Sequence, residues 1–390
     1  MPFQEVSKMS LRLEFVTLAS QPAANIAQLC RRYGISRPTG YKWLERYRQA
    51  GAAGLCERSR RPHSSPRRSA PDVEAAVLGV RAAHPCWGGR KIKRRLEDGG
   101  HAGVPAASTV TAILHRHAAL DADAPAPNAH VTRFERARPN ELWQMDFKGH
   151  FATATRRCHP LTVLDDHSRF ALALIACADE RGRTVRAHLE AVFRRYGLPE
   201  ALLADNGPPW GAPSRPASFT ALGVWLLRLG IRLHHGRPYH PQTQGKDERF
   251  HRTLAIEVLQ GRFFAGLEDC QRAFDAWRVV YNHDRPHEAL GLAVPASRYA
   301  PSPRPFPEAL PLPEYGSGDR PRKVNQHGYI HFQGRRLKLP EAFAGFYVGL
   351  RPTATDGLWT VHFAAEAIAQ VDLRDRLGSV QPVNHVSEHL

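Results

Sequence analysis

Three stretches without hydrophobic periodicity divide this chain of 390 residues into four blocks. They are the Arg/Ser/Pro-rich residues 58–69, the Ala/Pro-rich residues 121–128 and the proline-rich residues 300–321. Segments of this composition favour extended linkers over packed elements. We therefore expect a multidomain α/β protein with domains at residues 1–65, 70–122, 135–300 and 320–373.

Basic residues clearly outnumber acidic ones. The 54 Lys and Arg against 37 Asp and Glu give a net charge of +17, and residues 1–70 hold 13 of the former and 4 of the latter. A positive charge of this size requires a polyanionic partner or an acidic membrane surface. No apolar run approaches the ~20 residues of a membrane span, and the first ten residues lack the apolar region of a secretory signal. The six cysteines form no C-x-x-C pair. We expect a cytoplasmic protein that binds nucleic acid and no membrane.

Residues 1–65 have the pattern of a helix–turn–helix domain. Asn25 is expected to cap one helix, Gly34 to supply a left-handed turn residue, and Ser36 to cap a second helix. On that second helix we expect the apolar Tyr41, Leu44 and Tyr47 to pack inward. The predicted outward, DNA-binding residues are basic: Arg37, Lys42, Arg46 and Arg48. A basic outer face suits the major groove of double-stranded DNA, and an ordinary helical domain with a solvated charged face is the alternative.

The second block, residues 70–122, resembles another small helical DNA-binding module. It places five basic residues within positions 90–95, and Ser108 is predicted to cap a later helix. A charged face turned to solvent fits the same pattern.

The third block, residues 135–300, alternates strands and helices. The predicted order is three strands, a helix, a strand, a helix, a strand and two helices, which indicates a mixed sheet with helices packed against it.

The last block, residues 320–373, is predicted to be a small β-barrel. It contains five short runs with period-two alternation, and Gln333–Gly334 and Asp356–Gly357 fit tight hairpin turns. Three cations of one hairpin, at positions 335, 336 and 338, either follow a DNA backbone or only block pairing at a sheet edge.

Three acidic residues are exceptional in their context. Asp146 lies within a hydrophobic strand, Asp205 ends a buried strand, and Glu248 begins a helix after a polar loop. They are 59 and 43 residues apart, so only the fold can bring them together. Converging carboxylates repel one another unless a cation neutralises them, and Mg²⁺ prefers such oxygen ligands. The pattern indicates metal-dependent phosphoryl transfer on DNA.

The motifs around these acids resemble those of one enzyme family. WQMDFK, LADNGPPW and HPQTQGKDERFHRTL are similar to the three motifs of DDE insertion-sequence transposases with a retroviral-integrase-like (rve) catalytic core. YNHDRPHEALG and HPCWGGRKI also resemble segments of that group, which carries an amino-terminal helix–turn–helix. The resemblance implies an RNase H-like core in which Asp146, Asp205 and Glu248 are the catalytic residues and the ligands of Mg²⁺, with Mn²⁺ as a substitute.

The resemblance also implies what the chain does. It implies a DNA transposase that cleaves insertion-sequence ends and transfers the strands into target DNA, working as a homo-oligomer in the bacterial cytoplasm and at the nucleoid. Lys246, Arg249 and Arg252 are the expected DNA contacts near Glu248. Many relatives carry a basic residue two helical turns after the glutamate, whereas position 255 is Ala in this chain.

Several rival residues and functions remain open from the sequence. Asp165 and Asp166 more simply cap backbone amides in a turn, and Asp247 lies ~100° around the helix from Glu248. His283 and His287 have a spacing compatible with zinc. The rival functions are a helix–turn–helix regulator derived from a catalytically idle transposase, and a plain nuclease of the RNase H type.

Overall fold

A computed structural model of the chain describes residues 7–58, 68–120, 135–211, 219–235, 245–310, 312–374 and 378–383. The chain divides into two compact units, residues 1–68 and 69–390. The breaks predicted at residues 58–69 and 121–128 fall almost wholly outside the described residues. Across the described parts, we find no helix with both the length and the apolar composition that a membrane crossing requires.

The first unit is helical and contains the predicted helix–turn–helix. Its helices are α1 (Lys8–Ala19), α2 (Ile26–Arg32) and α3 (Arg37–Ala50). The side chain of Asn25 accepts a hydrogen bond from the backbone of Gln28, and Ser36 caps α3 in the same way. Gly34 has a positive φ of 62°, as expected for the turn. The sequence pattern therefore found both helices and their caps, and it missed α1.

The inward face of α3 includes the predicted Leu44 and Tyr47 but not the predicted Tyr41. Tyr41 is 56% exposed, whereas Gly40, Trp43 and Leu44 are buried. A Cβ atom added at Gly40 would lie 2.5 Å from the Sγ atom of Cys30, so α2 and α3 approach each other closely at this point. Gly40 therefore faces the core at this point, and Tyr41 faces solvent.

We expect Gly40→Ala to lower the free energy of unfolding of the first unit by about 1–3 kcal/mol, because the new methyl group has no space against Cys30. Thermal unfolding of residues 1–65, followed by tryptophan fluorescence, measures the effect. Gln49→Ala on the exposed face of α3 is the control and should change stability by less than about 0.5 kcal/mol. Equal stabilities of the two variants would contradict this packing.

The second unit contains a mixed sheet, as predicted. Its strands are β1 (Trp143–Phe147), β2 (Phe151–Ala152), β3 (Arg157–Asp165), β4 (Ala171–Cys177), β5 (Ala201–Ala204) and β6 (Arg232–His235). Strand β3 pairs antiparallel with β1, β2 and β4, whereas β5 pairs parallel with both β1 and β6. The carboxyl ends of β1, β5 and β6 therefore lie at the same edge of the sheet.

Helices cover both faces of this sheet. They are α7 (Gly182–Tyr196), α8 (Ala221–Arg228), α9 (Gly245–Leu254) and α10 (Leu267–His283), and a π-helical turn at Ala255–Leu259 continues α9. One buried cluster joins alternate strand residues to α7 and α8, and a second joins the remaining strand residues to α9 and α10. The second unit thus contains a mixed sheet between two helical layers.

Three further helices precede the core: α4 (Pro71–Ala83), α5 (Gly89–Asp98) and α6 (Ala107–Arg116). Ser108 is not the cap of α6, because the helix begins at Ala107 and no side chain caps it. Two of the basic residues of α5 form ion pairs with acidic side chains that follow α10. Arg90 lies 3.2 Å from Glu288 and Arg95 lies 2.9 Å from Asp284. These ion pairs join the helical module to the segment that follows α10.

The proline-rich residues 300–321, which we expected to be a linker, pack against the core up to residue 310. The backbone of Leu198 donates to Arg304, and that of Ser302 donates to Tyr196. Phe306 and Leu310 are half-buried against the main core cluster. Proline in this segment therefore fixes an extended strap on the core surface.

The C-terminal strands are β7 (Arg320–Lys323), β8 (Tyr329–Phe332), β9 (Arg335–Lys338), β10 (Tyr347–Pro352), β11 (Leu358–Phe363), β12 (Glu366–Asp372) and β13 (Ser379–Pro382). The five predicted strands and the hairpin turn at Gln333–Gly334 are present, and β7 and β13 are additional. The predicted β-barrel is not confirmed. The described strands form an open five-stranded antiparallel sheet and a separate β8–β9 hairpin.

This C-terminal sheet shares a buried cluster with the core. Val224 and Leu227 of α8 are buried among the apolar side chains of the sheet, and the ring of Phe219 lies 5.0 Å from that of Phe343. Because α8 contributes to both the core and this cluster, the two parts stabilise each other.

Candidate active site

Asp146 and Asp205 lie at the carboxyl ends of neighbouring parallel strands. The register of β1 and β5 pairs Trp143 with Leu202 and Gln144 with Leu203. Continued by two residues, the same register brings Asp146 opposite Asp205. The sheet therefore accounts for the spacing of 59 residues between the two acids, and it places them at the edge where open α/β sheets bind ligands.

Both carboxyl groups have raised pKa values. Burial and the negative charge of Asp205 raise the pKa of Asp146 to about 7. Burial also raises the pKa of Asp205, although a hydrogen bond from the backbone of Gly207 opposes this effect. Two acids held together with raised pKa values are typical of a site that accepts a positive charge.

Helix α9 brings two further acids to this edge, and they differ in burial. Glu248 is exposed, and its charge contributes to the raised pKa of Asp146. Asp247 is only 1% exposed, and its Oδ1 atom is buried without a hydrogen-bond partner. Burial and the charge of Asp146 raise the pKa of Asp247 well above its ordinary value. The inward acid of α9 is thus Asp247.

His251, one helical turn after Asp247, was not predicted as a site residue. Its Nδ1 atom lies 4.0 Å from Oδ2 of Asp146, and its Nε2 atom is 2.9 Å from the hydroxyl of Thr162. Burial lowers the pKa of His251 to about 4, so the ring is neutral at pH 7. It therefore does not neutralise Asp146.

Glu180 is a second residue that the sequence motifs did not identify. Its charge raises the pKa values of both Asp146 and Asp205, and its Oε1 atom is 2.8 Å from Nδ1 of His159. Glu180 follows β4 in a polar segment without a motif. Only its position after a strand could have indicated it.

Asp165 and Asp166 have the structural role expected of turn residues. Asp165 accepts hydrogen bonds from the backbone amides of Asn140 and Ser168. Asp166 is buried and forms an ion pair with Lys246, whose side chain is only 14% exposed. Burial lowers the pKa of Lys246 to about 8. The ammonium group of Lys246 is thus directed into the protein in this conformation.

The other predicted DNA-binding residues lie at the surface. Arg249 and Arg252 are exposed on α9, and Arg249 is 4.0 Å from Glu288. On α3 of the first unit, three of the four basic residues are exposed: Arg37, Lys42 and Arg48. Arg46 is half-buried, with its guanidinium 5.1 Å from the centre of the Trp43 ring.

The donor chemistry of the site suits a hard divalent cation, although the side chains are not assembled around one point. Within the parts of the chain that the structure describes, no group of three His, Cys, Asp or Glu residues could hold a metal ion as it stands. This includes His283 and His287, the zinc candidates. Asp146 and Asp205 nevertheless offer carboxylate oxygens, and a cation would relieve their repulsion.

Family models match most of the described chain. Integrase core domain models match residues 136–241 and 229–295. A helix–turn–helix domain model matches residues 11–63, and a homeodomain-like domain model matches residues 39–114. The C-terminal domain of the IS481 family transposase matches residues 319–377.

Two curated relatives come from bacterial insertion elements. An uncharacterized 31.7 kDa protein of insertion element IS407 from Burkholderia multivorans is 30% identical over 158 residues, which cover 40% of this chain and 54% of the relative. An uncharacterized 39.2 kDa protein of insertion element IS476 from Xanthomonas euvesicatoria is 29% identical over 158 residues. These residues cover 40% of this chain and 44% of that relative. The chain thus spans about half the length of these relatives.

Solved structures give weaker likenesses. A chain of the simian T-cell lymphotropic virus intasome matches with a TM-score of 0.36 and 17% identity, covering 74% of this chain and 96% of that chain. The HTLV-2 integrase catalytic core domain in complex with magnesium matches with a TM-score of 0.32 and 16% identity. The match covers 42% of this chain and 99% of that chain.

The order of the matched domains agrees with the fold described above. A helix–turn–helix region precedes an integrase core, and a transposase C-terminal domain follows it. These matches support an insertion-sequence transposase in which an amino-terminal helix–turn–helix domain precedes an integrase core domain.

Proposed function

We propose that this chain is a DDE transposase, which cleaves the ends of its own insertion sequence and transfers the exposed strands into target DNA. The observation that carries the proposal is the register of β1 and β5, which sets Asp146 opposite Asp205 at the ligand-binding edge of an integrase core. Glu248 of α9 is the third catalytic residue in this proposal. Its exposed side chain would complete the site by turning toward the two aspartates.

The same three carboxylates would hold Mg²⁺, or Mn²⁺ in its place. When bound, such a cation supplies charge neutralisation at the scissile phosphate and at the leaving oxygen. Support comes from the oxygen-only donor set and from the raised pKa of Asp146, which marks a charge that lacks compensation.

The protein residues around the acids would bind and orient DNA. Arg249 and Arg252 are exposed near Glu248 and would bind phosphates of the element end. The reaction consists of hydrolysis that leaves a 3′ hydroxyl, followed by in-line attack of that hydroxyl on a target phosphodiester. Neither step requires a covalent bond between protein and DNA.

The proposed reaction joins two ends of one element, so we also propose that the chain acts as a homo-oligomer on double-stranded DNA. Its place of action would be the bacterial cytoplasm, at the nucleoid.

A comparison of substrates tests this function against its two rivals. The purified chain is incubated in Mg²⁺ with a duplex bearing an element end, with the same duplex in scrambled sequence, and with an RNA–DNA hybrid. A transposase nicks the element end and joins it to added plasmid. A regulator binds the element end without cleaving it, and a nuclease of the RNase H type cleaves the hybrid.

Recognition of the element end is expected to depend on α3. Lys42→Ala or Arg46→Ala should weaken binding by about 1–3 kcal/mol if either residue contacts a base edge, and the affinity of wild type should fall steeply with salt. Fluorescence anisotropy with residues 1–65 measures both effects. Lys8→Ala, which removes an exposed cation from α1, is the control. A folded fragment that binds scrambled DNA equally well would refute this role.

The pKa of Asp146 predicts a pH dependence of the metal-free chain. Because its pKa is raised from 3.8 to about 7 in the folded state, the folded protein binds the proton more tightly than the unfolded one. Stability contributed by this group is therefore present at low pH and is lost as the pH rises towards and through 7. Cation affinity should rise over the same interval, since Asp146 must lose its proton to become a ligand. Tm values from pH 5 to 8, with and without Mg²⁺, check the prediction, and Asp146→Asn should flatten both trends.

A further inference from the structure

One oxygen of the Asp247 carboxyl group lacks a hydrogen-bond partner in the interior. Its side chain is 1% exposed, and its Oδ1 atom has no partner among the described residues. An unpaired buried carboxylate is costly, and its charge is removed either by a retained proton or by a cation from outside the chain.

The position of Asp247 on α9 directs it toward the acids of the sheet edge. Asp247 and His251 are four residues apart and therefore share one face of the helix. His251 approaches Asp146 to 4.0 Å, so this face of α9 is the one that meets β1. The charged groups that act on Asp247 are three acids and one lysine: Asp146, Asp166, Glu248 and Lys246.

The neighbouring groups compensate the carboxyl group only in part, because Lys246 favours its charged form whereas Asp146, Asp166 and Glu248 oppose it. The ammonium group of Lys246 forms its ion pair with Asp166, and His251 donates or accepts at Thr162. Asp247 thus has one oxygen without a partner and lies close enough to Asp146 for the two charges to act on each other.

We propose that Asp247 is a fourth carboxylate ligand of the divalent-cation site, beside Asp146, Asp205 and Glu248. The inference rests on the proposed function, because it assumes that the first two aspartates hold the cation. Phosphoryl-transfer sites of this type use two divalent ions, and four carboxylates balance the charge of two such ions. The buried oxygen of Asp247 then has a partner whenever the cations are bound.

Cation binding by the full chain, measured without DNA, tests this role. Mn²⁺ affinity is obtained by calorimetric titration, and the rise of Tm with Mg²⁺ gives a second readout. We expect Asp247→Asn to weaken Mn²⁺ binding at least about tenfold and to reduce the Mg²⁺-dependent rise of Tm.

Asp269→Asn is the matched control. Asp269 occupies the third position of α10, as Asp247 does in α9. It is paired with Arg272 of the same helix, α10. Its replacement removes the same charge and should leave Mn²⁺ affinity unchanged. Asp247→Val, which fills the site without a carboxylate, repeats the comparison should the Asn variant fail to fold.

The titrations distinguish a failure of the fourth ligand from a failure of the proposed metal site itself. Wild-type Mn²⁺ affinity in both Asp247 variants, together with its loss in Asp146→Asn, would mean that Asp247 is only a buried protonated acid, and the fourth ligand would be overturned. Unchanged affinity in Asp146→Asn and Asp205→Asn as well would overturn the metal site of the proposed function itself.

Discussion

Asp146→Asn, Asp205→Asn and Glu248→Gln are each expected to reduce cleavage and strand transfer about a thousandfold or more. Each change removes one anionic ligand while preserving the shape of the side chain. The lost stabilisation of the transition state amounts to several kcal/mol, and about 1.4 kcal/mol corresponds to a factor of ten. Single-turnover cleavage of an element-end duplex in Mg²⁺ measures the loss.

Binding of the same duplex should survive in all three variants, since the residues proposed to read its sequence lie on α3 of the first unit. Asp275→Asn, at an exposed acid of α10, serves as the activity control and should cleave like wild type. Substantial Mg²⁺-dependent cleavage by any of the three variants would remove that residue from the site.

Phe250→Ala is expected to cost about 3–5 kcal/mol of stability. The Phe250 ring is 2% exposed and makes edge-to-face contacts with Trp277 at 5.3 Å and Tyr281 at 4.9 Å. These contacts hold α9, which carries Asp247 and Glu248, against α10. We therefore expect cleavage to fall together with stability.

Urea unfolding of the full chain measures this effect. Phe263→Ala is the control, because the same ring at position 263 is 77% exposed and its loss should change stability by less than about 0.5 kcal/mol. A Phe250 variant as stable as the Phe263 variant would show that α9 is not anchored in this way.

Hydrophobic periodicity and capping residues predicted most elements correctly. The helices at Ile26–Arg32 and Arg37–Ala50 begin after the predicted caps. The core strands follow the predicted order, except that the short β2 is additional. The sequence could predict that Asp146 and Asp205 lie at the same edge of the sheet, because the carboxyl ends of parallel strands meet there.

The features that the sequence did not predict depend on contacts between distant residues. Tyr41 lies outward because Gly40 allows close helix packing, which periodicity does not encode. The cations of α5 pair with Asp284 and Glu288, almost 200 residues later in the chain, where local charge analysis could consider only DNA or solvent.

Sequence patterns also could not predict whether the C-terminal sheet closes into a barrel or whether Asp247 is buried. Alternating short strands identify a β-sheet, whereas closure into a barrel depends on strand tilt and register. The burial of Asp247 depends on how α9 is rotated about its axis, and the polar loop ahead of α9 gives no signal of that rotation.

Sequencing the DNA joints formed by the purified chain tests the central claim most directly. A linear duplex with an element end and a supercoiled plasmid are incubated in Mg²⁺, and the products are deproteinised before the joints are read. We predict that the 3′ end of the element strand is joined to a 5′ phosphate of the plasmid, and that joints are absent with EDTA or with Asp146→Asn. Joints that form without a divalent cation, or DNA that remains covalently attached to protein, would contradict the account.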